Sequence, residues 1–288
     1  MTDPLPPPPP PPPPHTPPGS TTSPDAPRAP LAIGSILGRT FSIWVRSLPV
    51  VTAFSLLVFA PLIAWARWFT STERGWEQER NFLVAVWGIS GVLSALVSGG
   101  LARGVLARLG GREVSPAFGL SSALTRLLPV LGVTVLTWIY AFFAGLGMGV
   151  TSRPILTLVR SGVLEDVFAV LTLLVMLLVT TTFHVAVPVV VLERPGARMA
   201  MERSAFLTSG NRLRLFGLTL LFTGLGTGAT WAAGALLSGS LSTVVLGFIG
   251  VTALVLAPLG AISGAVAYHD LRRSREGTPV EDLGAVFE

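Results

Sequence analysis

The sequence predicts an all-α, polytopic transmembrane helical bundle, and two observations indicate this. Half of the 288 residues are hydrophobic and only 12% are charged, whereas a soluble domain carries about 25% charged residues. The apolar residues are also concentrated in long runs without charge. Such a chain cannot cover a water-exposed surface with polar groups, so we expect lipid to surround most of its exterior.

Residues 1–30 come first and form a low-complexity, proline-rich tail, which we expect to be disordered. Pro6–Pro14 is an unbroken run of nine prolines. Because proline fixes φ and lacks an N–H, this run favours a polyproline II rod roughly 28 Å long. Such a rod can be a solvated spacer or a ligand for the aromatic-lined groove of a protein partner, and the sequence leaves both interpretations open.

Residues 31–48 follow as a predicted amphipathic helix. Apolar side chains recur there at helical spacing, at Ile33, Ile36, Leu37, Thr40, Trp44 and Leu48. Arg39 and Arg46 lie off this stripe. A short helix that is apolar on one side and basic on the other is typical of a helix lying in the membrane interface.

Six apolar stretches make up the predicted membrane domain, residues 31–275. A bilayer core about 30 Å thick needs roughly 20 helical residues. The predicted spans lie at about 49–66, 82–102, 127–151, 167–192, 215–237 and 241–267. A short tail, residues 276–288, follows the last span.

The spans pair into three hairpins, each preceded by an amphipathic interfacial helix. The three amphipathic segments are 31–48, 115–128 and 195–212. Their junctions resemble one another, since Ser47-Leu48-Pro49-Val50-Val51 recurs as Leu127-Leu128-Pro129-Val130-Leu131. The order of elements favours an internal repeat, and chance similarity among low-diversity apolar sequences is the alternative.

Arginines set the expected orientation. All twenty basic residues are arginine, and they exceed the acids on alternate connections. The connections in which arginines outnumber acidic residues follow span two, span four and span six. Positive connections stay in the cytoplasm, so both termini are predicted to be cytoplasmic. The use of arginine without lysine, with many Gly, Pro and Ala, indicates a bacterial protein of the cytoplasmic (inner) membrane.

The positions of the same arginines also indicate which kinds of partner the chain binds. They lie beside apolar runs and not along one polar face, so we expect them to set topology and to contact anionic lipid headgroups, with no nucleic acid bound. The chain has no cysteine, which excludes disulfides, thiol catalysis and cysteine metal sites. No motif predicts a catalytic, cofactor or metal site, and we therefore predict that the chain is not an enzyme.

Two polar features are the candidate sites. Arg198, Glu202, Arg203 and Arg212 form the most distinctive polar stretch and are candidate lipid or partner contacts. Arg198 and Glu202 are four apart and can pair on one helix, and Gly210-Asn211 reads as a helix stop. His184 is a candidate intramembrane polar site. It is either a hydrogen-bonded structural residue, with Thr180-Thr181-Thr182 as expected partners, or a proton or substrate contact.

Three segments carry a resemblance to a known family. They are Ile33-Gly34-Ser35-Ile36-Leu37-Gly38-Arg39-Thr40-Phe41, then Glu193 with Glu202-Arg203-Ser204 to Thr208-Ser209-Gly210, then Pro258-Leu259 to Tyr268-His269-Asp270-Leu271-Arg272 with Glu276-Gly277. Across residues 31–288 the chain resembles bacterial multi-pass proteins related to the glycerophosphoryl diester phosphodiesterase membrane domain. His269 departs from the usual tyrosine. The family name comes from fusion to an enzyme domain that these residues do not contain, so the resemblance implies architecture and no activity.

These observations favour a non-enzymatic membrane protein that organises membrane lipids or partner proteins. The alternative is a transporter or permease component. A transport pathway needs polar groups at the membrane midplane, where this sequence offers His184 and scattered Ser and Thr.

Overall fold

The computed structural model describes residues 32–71, 76–109, 125–159, 162–236 and 241–276, and within these ranges its regular structure is entirely helical. The helices are α1 (Ile33–Arg46), α2 (Leu48–Thr70), α3 (Trp76–Leu109), α4 (Leu127–Val159), α5 (Gly162–Thr182), α6 (Ala186–Leu192), α7 (Ala197–Thr208), α8 (Arg212–Leu236), α9 (Leu241–Val251), a π-helical turn (Thr252–Leu256) and α10 (Ala257–Glu276). The predicted all-α bundle is confirmed. The predictions for the proline-rich tail, for most of the second amphipathic segment and for nearly all of the C-terminal tail lie outside the described residues.

The first amphipathic helix and the break after it form as predicted. α1 ends at Arg46, and α2 begins at Leu48 with Pro49 in its first turn, where the missing N–H of proline costs no helical hydrogen bond. α1 does not lie alone on a membrane surface. It packs along α10 and buries Ile36 and Thr40 there.

Five helical stretches of the described residues are long and apolar enough to cross a membrane. They are Leu48–Thr70, Gln78–Leu106, Leu127–Thr157, Gly162–Leu192 and Val244–Glu276. The fourth is interrupted in its interior, which the sequence did not predict. α8 covers most of the predicted fifth span and is not among the five, so the count of six spans stays a prediction.

The last span lies at the centre of the bundle. α10 packs most extensively against α3, with α1 on another side. Its small and apolar side chains are nearly all buried, and Tyr268 is the largest fully buried side chain. The helices of each predicted hairpin contact one another, α2 with α3, α4 with α5, and α8 with α9. Of the three predicted hairpins, the first packs directly against α10, through both α2 and α3.

Outward-facing positions of α4 and α5 remain apolar. Large exposed side chains there include Phe142, Phe143, Val163, Val170 and Leu173. A soluble protein rarely exposes so continuous an apolar surface, and a bilayer would cover it.

The glycines of α8 lie on different sides of that helix. Gly226 faces Leu256, whereas Gly224 and Gly228, which have the GxxxG spacing typical of close helix packing, face open space.

Candidate functional site

Charged side chains from distant parts of the chain meet at one end of the bundle, where α3, α6 and α10 finish and α7 lies. We call this the arginine-rich end. Its central feature is a set that we call the polar clamp: Glu193, Arg203, Tyr268, Arg272 and Glu276. These residues follow α6 or belong to α7 and α10, so the clamp ties three elements together.

Arg203 is the hub of the polar clamp. Its Nε lies 3.1 Å from Oε2 of Glu193, and its Nη2 lies 3.3 Å from Oε1 of the same carboxylate. Nη2 also binds Glu276, to which Arg272 donates from Nε at 2.9 Å. The Tyr268 hydroxyl donates to Glu193 at 2.8 Å. Each carboxylate thus has two donors, the arrangement that a partly buried charge needs.

The electrostatics of Arg203 follow from this geometry. Burial lowers the pKa of its guanidinium, but the hydrogen bonds and charges of Glu193 and Glu276 outweigh burial and raise the pKa above its ordinary value. Arg203 therefore stays charged at any physiological pH. Its side chain is only 28% exposed. Of the four predicted contact residues, it is the one committed to internal partners.

Two further contacts fasten helices at the arginine-rich end. Arg39 of α1 pairs with Asp270 of α10, whose other oxygen lies 3.1 Å from Nδ1 of His269. Arg275 donates to Ser209, just beyond α7, and lies over the ring of Phe206 at 5.6 Å. Asp270 thus connects the last helix to α1, and His269 contacts the same carboxylate from within α10.

The other predicted contact residues face outward. Arg198 and Glu202 pair at 3.0 Å along α7, as predicted, with side chains 90% and 63% exposed. Arg212 is exposed at the first position of α8. Between the two helices Gly210 adopts a positive φ of 81°, which confirms the predicted helix stop. The structure therefore separates Arg203 from Arg198, Glu202 and Arg212.

His184 lies at a break in the fourth candidate span. Helix α5 ends at Thr182, three residues form turns, and α6 begins at Ala186. Hydrogen bonds tighten to three-residue spacing here, with the amides of Phe183 and His184 donating to the carbonyls of Thr180 and Thr181. The cause lies in the sequence. Pro188 has no N–H to offer the carbonyl of His184, and its ring crowds that carbonyl.

The break leaves the carbonyl of Thr182 without a helical donor, and α7 supplies two. Ser204 donates to it at 2.9 Å and Thr208 at 3.3 Å. Both hydroxyls lie on the buried face of α7. Irregular backbone at membrane depth persists only where such side chains satisfy it, so α7 is built into the bundle and does not merely rest on it.

The ring of His184 does not use the predicted partners. Thr180 and Thr181 donate to carbonyls of their own helix, at Leu177 and Leu178. Instead, Nε2 of His184 lies 3.4 Å from Oγ of Ser263 on α10. A Cβ on the neighbouring Gly264 would lie 3.4 Å from the His184 carbonyl, so the two helices approach closely at this point.

The described residues contain no group of three or more His, Cys, Asp or Glu side chains that could hold a metal ion. Comparisons with known protein families, with curated proteins and with solved structures find no match. The interpretation of the site therefore rests on its geometry.

Proposed function

We propose that this chain is a non-enzymatic protein of the bacterial inner membrane, with both termini cytoplasmic, that organises anionic lipids or partner proteins at the arginine-rich end. The observation that carries the proposal is the outer edge of α7 and the start of α8. Exposed arginines and exposed apolar side chains alternate there. The resemblance to multi-pass proteins related to the glycerophosphoryl diester phosphodiesterase membrane domain is likewise proposed.

The apolar half of this edge suits the acyl boundary of a bilayer. Met199 is 65% exposed, Phe206 54% and Leu213 80%. Their removal from water would stabilise contact with lipid by about 25 cal/mol per Å² of apolar area. The inner face of α7 is fixed by Ser204 and Thr208, so the outer face is held in one orientation.

The basic half suits lipid headgroups. Arg198 and Arg212 lie at the exposed positions beside these apolar side chains. An arginine near an anionic membrane surface contributes about 1 kcal/mol of attraction, and its long stem can lie along apolar surface while the guanidinium reaches the phosphates. Glu202 moderates this charge through its pair with Arg198.

Charge reversal tests the proposal without disturbing the clamp. The full chain carrying Arg198→Glu and Arg212→Glu is reconstituted into nanodiscs of equal phosphatidylglycerol and phosphatidylcholine, and the lipid retained after purification is counted. We expect the enrichment in phosphatidylglycerol to fall several-fold. Arg153→Gln, at an exposed position of α4 in the predicted periplasmic connection, is the matched control. Equal enrichment in the reversed and native proteins would refute the proposal.

The broken span favours a second candidate, a transporter or permease component. Discontinuous helices with buried polar groups bind substrates and ions in many transporters. Here the break brings His184 beside Ser263. Proton flux into proteoliposomes, followed with an internal pH dye, tests this candidate. Flux that His184→Ala abolishes would favour it over the organiser, and the absence of flux would remove it.

The proline-rich tail is proposed as a docking segment for a protein partner. Capture of partners from a membrane extract by the full chain and by a chain lacking residues 1–30 tests this. If the tail is only a spacer, the full chain and the chain lacking residues 1–30 should capture the same proteins.

A further inference from the structure

A tyrosine hydroxyl interrupts the apolar outer surface of α4. Tyr140 is 54% exposed, and one side of its ring packs against that of Phe183, with the ring centroids 5.6 Å apart. Among the residues that the structure describes, none forms a hydrogen bond with the Tyr140 hydroxyl. The other tyrosine of the chain, Tyr268, is fully buried and donates to Glu193 at 2.8 Å. The two tyrosines therefore differ in whether the fold supplies a partner.

Tyr140 lies near the middle of its candidate span. It follows Arg126 by 14 positions and precedes Arg153 by 13, so at about 1.5 Å per residue its backbone lies about 20 Å from each arginine along the helix. Arginines that flank a span lie at the level of the lipid headgroups, where tyrosines are also usual. The hydrocarbon core between the headgroups is about 30 Å thick. From this depth the Tyr140 side chain is too short to bring its hydroxyl to either surface.

A hydroxyl at this depth needs a hydrogen-bond partner from another molecule. The bilayer core holds no water, and a polar group without a partner there is strongly unfavourable. Acyl chains have neither a donor nor an acceptor to offer at the midplane, so lipid cannot be that partner. A helix of a second protein molecule can be, because it brings oxygen atoms to the same depth.

The positions that follow Tyr140 have the spacing of a helix-packing seam. Phe143, Gly147 and Val150 come at intervals of three, four and three residues, which is the heptad spacing at which one helix packs along another. Phe143 is 62% exposed and Val150 61%. A Cβ added to Gly147 would meet no atom within 4 Å. We call these four positions the Tyr140 stripe, and the described residues leave all four uncovered.

Symmetry makes a second copy of this chain the occupant that suits the stripe. All copies of one chain insert with the same orientation, so the twofold axis of a dimer runs perpendicular to the membrane. Equivalent residues of the two copies then lie at equal depth, and the two Tyr140 hydroxyls can meet, one donating and the other accepting. The open space beside Gly147 admits the ring of Phe143 from the second copy. None of the four positions is charged, so no repulsion opposes the contact.

We propose that this chain forms a twofold-symmetric dimer in the membrane through the Tyr140 stripe. The second copy replaces lipid along this part of α4, and lipid covers the remaining apolar surface. The dimer goes beyond the proposed function, since it involves none of the residues at the arginine-rich end.

Cross-linking tests which face of α4 meets the second copy. The chain has no cysteine, so one introduced cysteine in the full chain has no competitor. Phe143→Cys in reconstituted liposomes should cross-link to its own copy under mild oxidation. Phe142→Cys is the matched control, because Phe142 is also a phenylalanine and is 60% exposed, but lies about 100° away around the helix. We expect at least tenfold more cross-linked dimer from Phe143→Cys.

The dimerisation equilibrium tests the hydroxyl and the glycine. Single-molecule photobleaching counts the copies per liposome as the ratio of protein to lipid is varied. Tyr140→Phe removes only the hydroxyl, keeps the ring against Phe183, and should weaken dimerisation at least about threefold. Gly147→Leu should weaken it at least tenfold by keeping the helices apart. Its matched control is Gly149→Leu, since an added Cβ there also meets no atom within 4 Å, but on another side of α4. Neither leucine meets another group of its own chain at the Cβ, so both variants should fold.

Three results would overturn the proposal. One is a protein that stays monomeric at every ratio of protein to lipid. Another is equal cross-linking of Phe142→Cys and Phe143→Cys, or a dimer that Tyr140→Phe and Gly147→Leu leave unchanged, because the copies would then meet at another face. The third is cross-linking of Phe143→Cys in native membranes to a different protein and not to its own copy.

Discussion

Removal of Arg203 should destabilise the protein more than removal of any exposed arginine. Arg203→Met keeps much of the stem volume but leaves Glu193 and Glu276 each with one donor, Tyr268 and Arg272 respectively. Breaking a fully buried ion pair costs about 3–5 kcal/mol. The charged side chains of the clamp retain 22–28% exposure, so solvent screening reduces our expectation to roughly 2–3 kcal/mol.

Reversible unfolding in mixed detergent measures this free energy of unfolding, and thermal unfolding gives a second reading. At about 2–4 °C per kcal/mol for a chain of this size, the melting temperature should fall by roughly 5–10 °C. Arg203→Lys should recover only part of the loss, because an ammonium cannot replace the two-pronged contact with Glu193. Arg198→Met, on the same helix with a side chain 90% exposed, should change stability by less than about 0.5 kcal/mol.

A double-mutant cycle decides whether the clamp is responsible. Glu276→Gln alone and combined with Arg203→Met should show a coupling energy of about 1 kcal/mol or more. If Arg203→Met is as stable as Arg198→Met, or if the coupling is zero, then the clamp does not hold α7 to α10 and our reasoning fails.

Four other substitutions test the packing and the helix ends. Gly91→Ala would place a Cβ 2.0 Å from the ring of Trp138, so it should lower the free energy of unfolding by about 1–3 kcal/mol and shift the tryptophan fluorescence. Gly88→Ala places its Cβ 3.7 Å from the same ring and should be tolerated. Equal stability of the two variants would contradict the α3–α4 packing. Gly210→Ala introduces a side chain at φ 81° and should lower the free energy of unfolding by about 1 kcal/mol in the same assay. Asp270→Asn removes the charge that pairs with Arg39 and holds α1 against α10. Hydrogen exchange of the α1 amides should therefore accelerate, while exchange in α3 should not change. Unchanged exchange in α1 would show that apolar packing alone holds α1 against α10.

The sequence predicted the local features of this fold well. The charge deficit and the apolar runs indicate the helical class, and helical spacing locates α1. The i,i+4 spacing of Arg198 and Glu202 predicts their pair, and Gly210-Asn211 predicts where α7 ends. Each of these depends on residues close together in the chain, so that periodicity and capping are enough to find them.

The polar clamp could not be predicted in this way. Glu193 and Tyr268 are 75 positions apart, and Arg203 and Glu276 are 73 apart. No local pattern reports such a pairing. The only signal was that Glu193, Arg203 and Tyr268 lie in segments on which the proposed family resemblance rests. From the sequence we therefore grouped Arg203 with Arg198 as an exposed contact residue. Helical geometry, however, places residues five apart on different sides of a helix.

The break at His184 was missed for a different reason. Hydropathy treats residues 167–192 as one continuous span, since Thr, His and Pro in a long apolar run barely lower its average. The physical signal was present in the pair His184 and Pro188, because a proline four residues after a carbonyl removes that carbonyl's helical donor. A proline inside a span does not always break it, as α2 continues through Pro61. At Pro188 the helix does break, and Ser204 and Thr208 donate to the carbonyl of Thr182 that the break exposes.

The break also explains why the arginine-rich end is organised as it is. An unbroken helix would have carried α6 onward along the direction of α5, whose outer face is exposed and apolar. The break instead turns α6 into the bundle, where its side chains from Pro188 to Leu192 are buried. Its last carbonyls then accept hydrogen bonds from within the protein, and Arg103 takes the one at Val191. Because α6 ends within the bundle, Glu193 reaches Arg203 in the polar clamp. One short buried helix thus sets the position of Glu193, and a substitution that straightened this helix would alter the polar clamp and the hydrogen bond from Arg103 together.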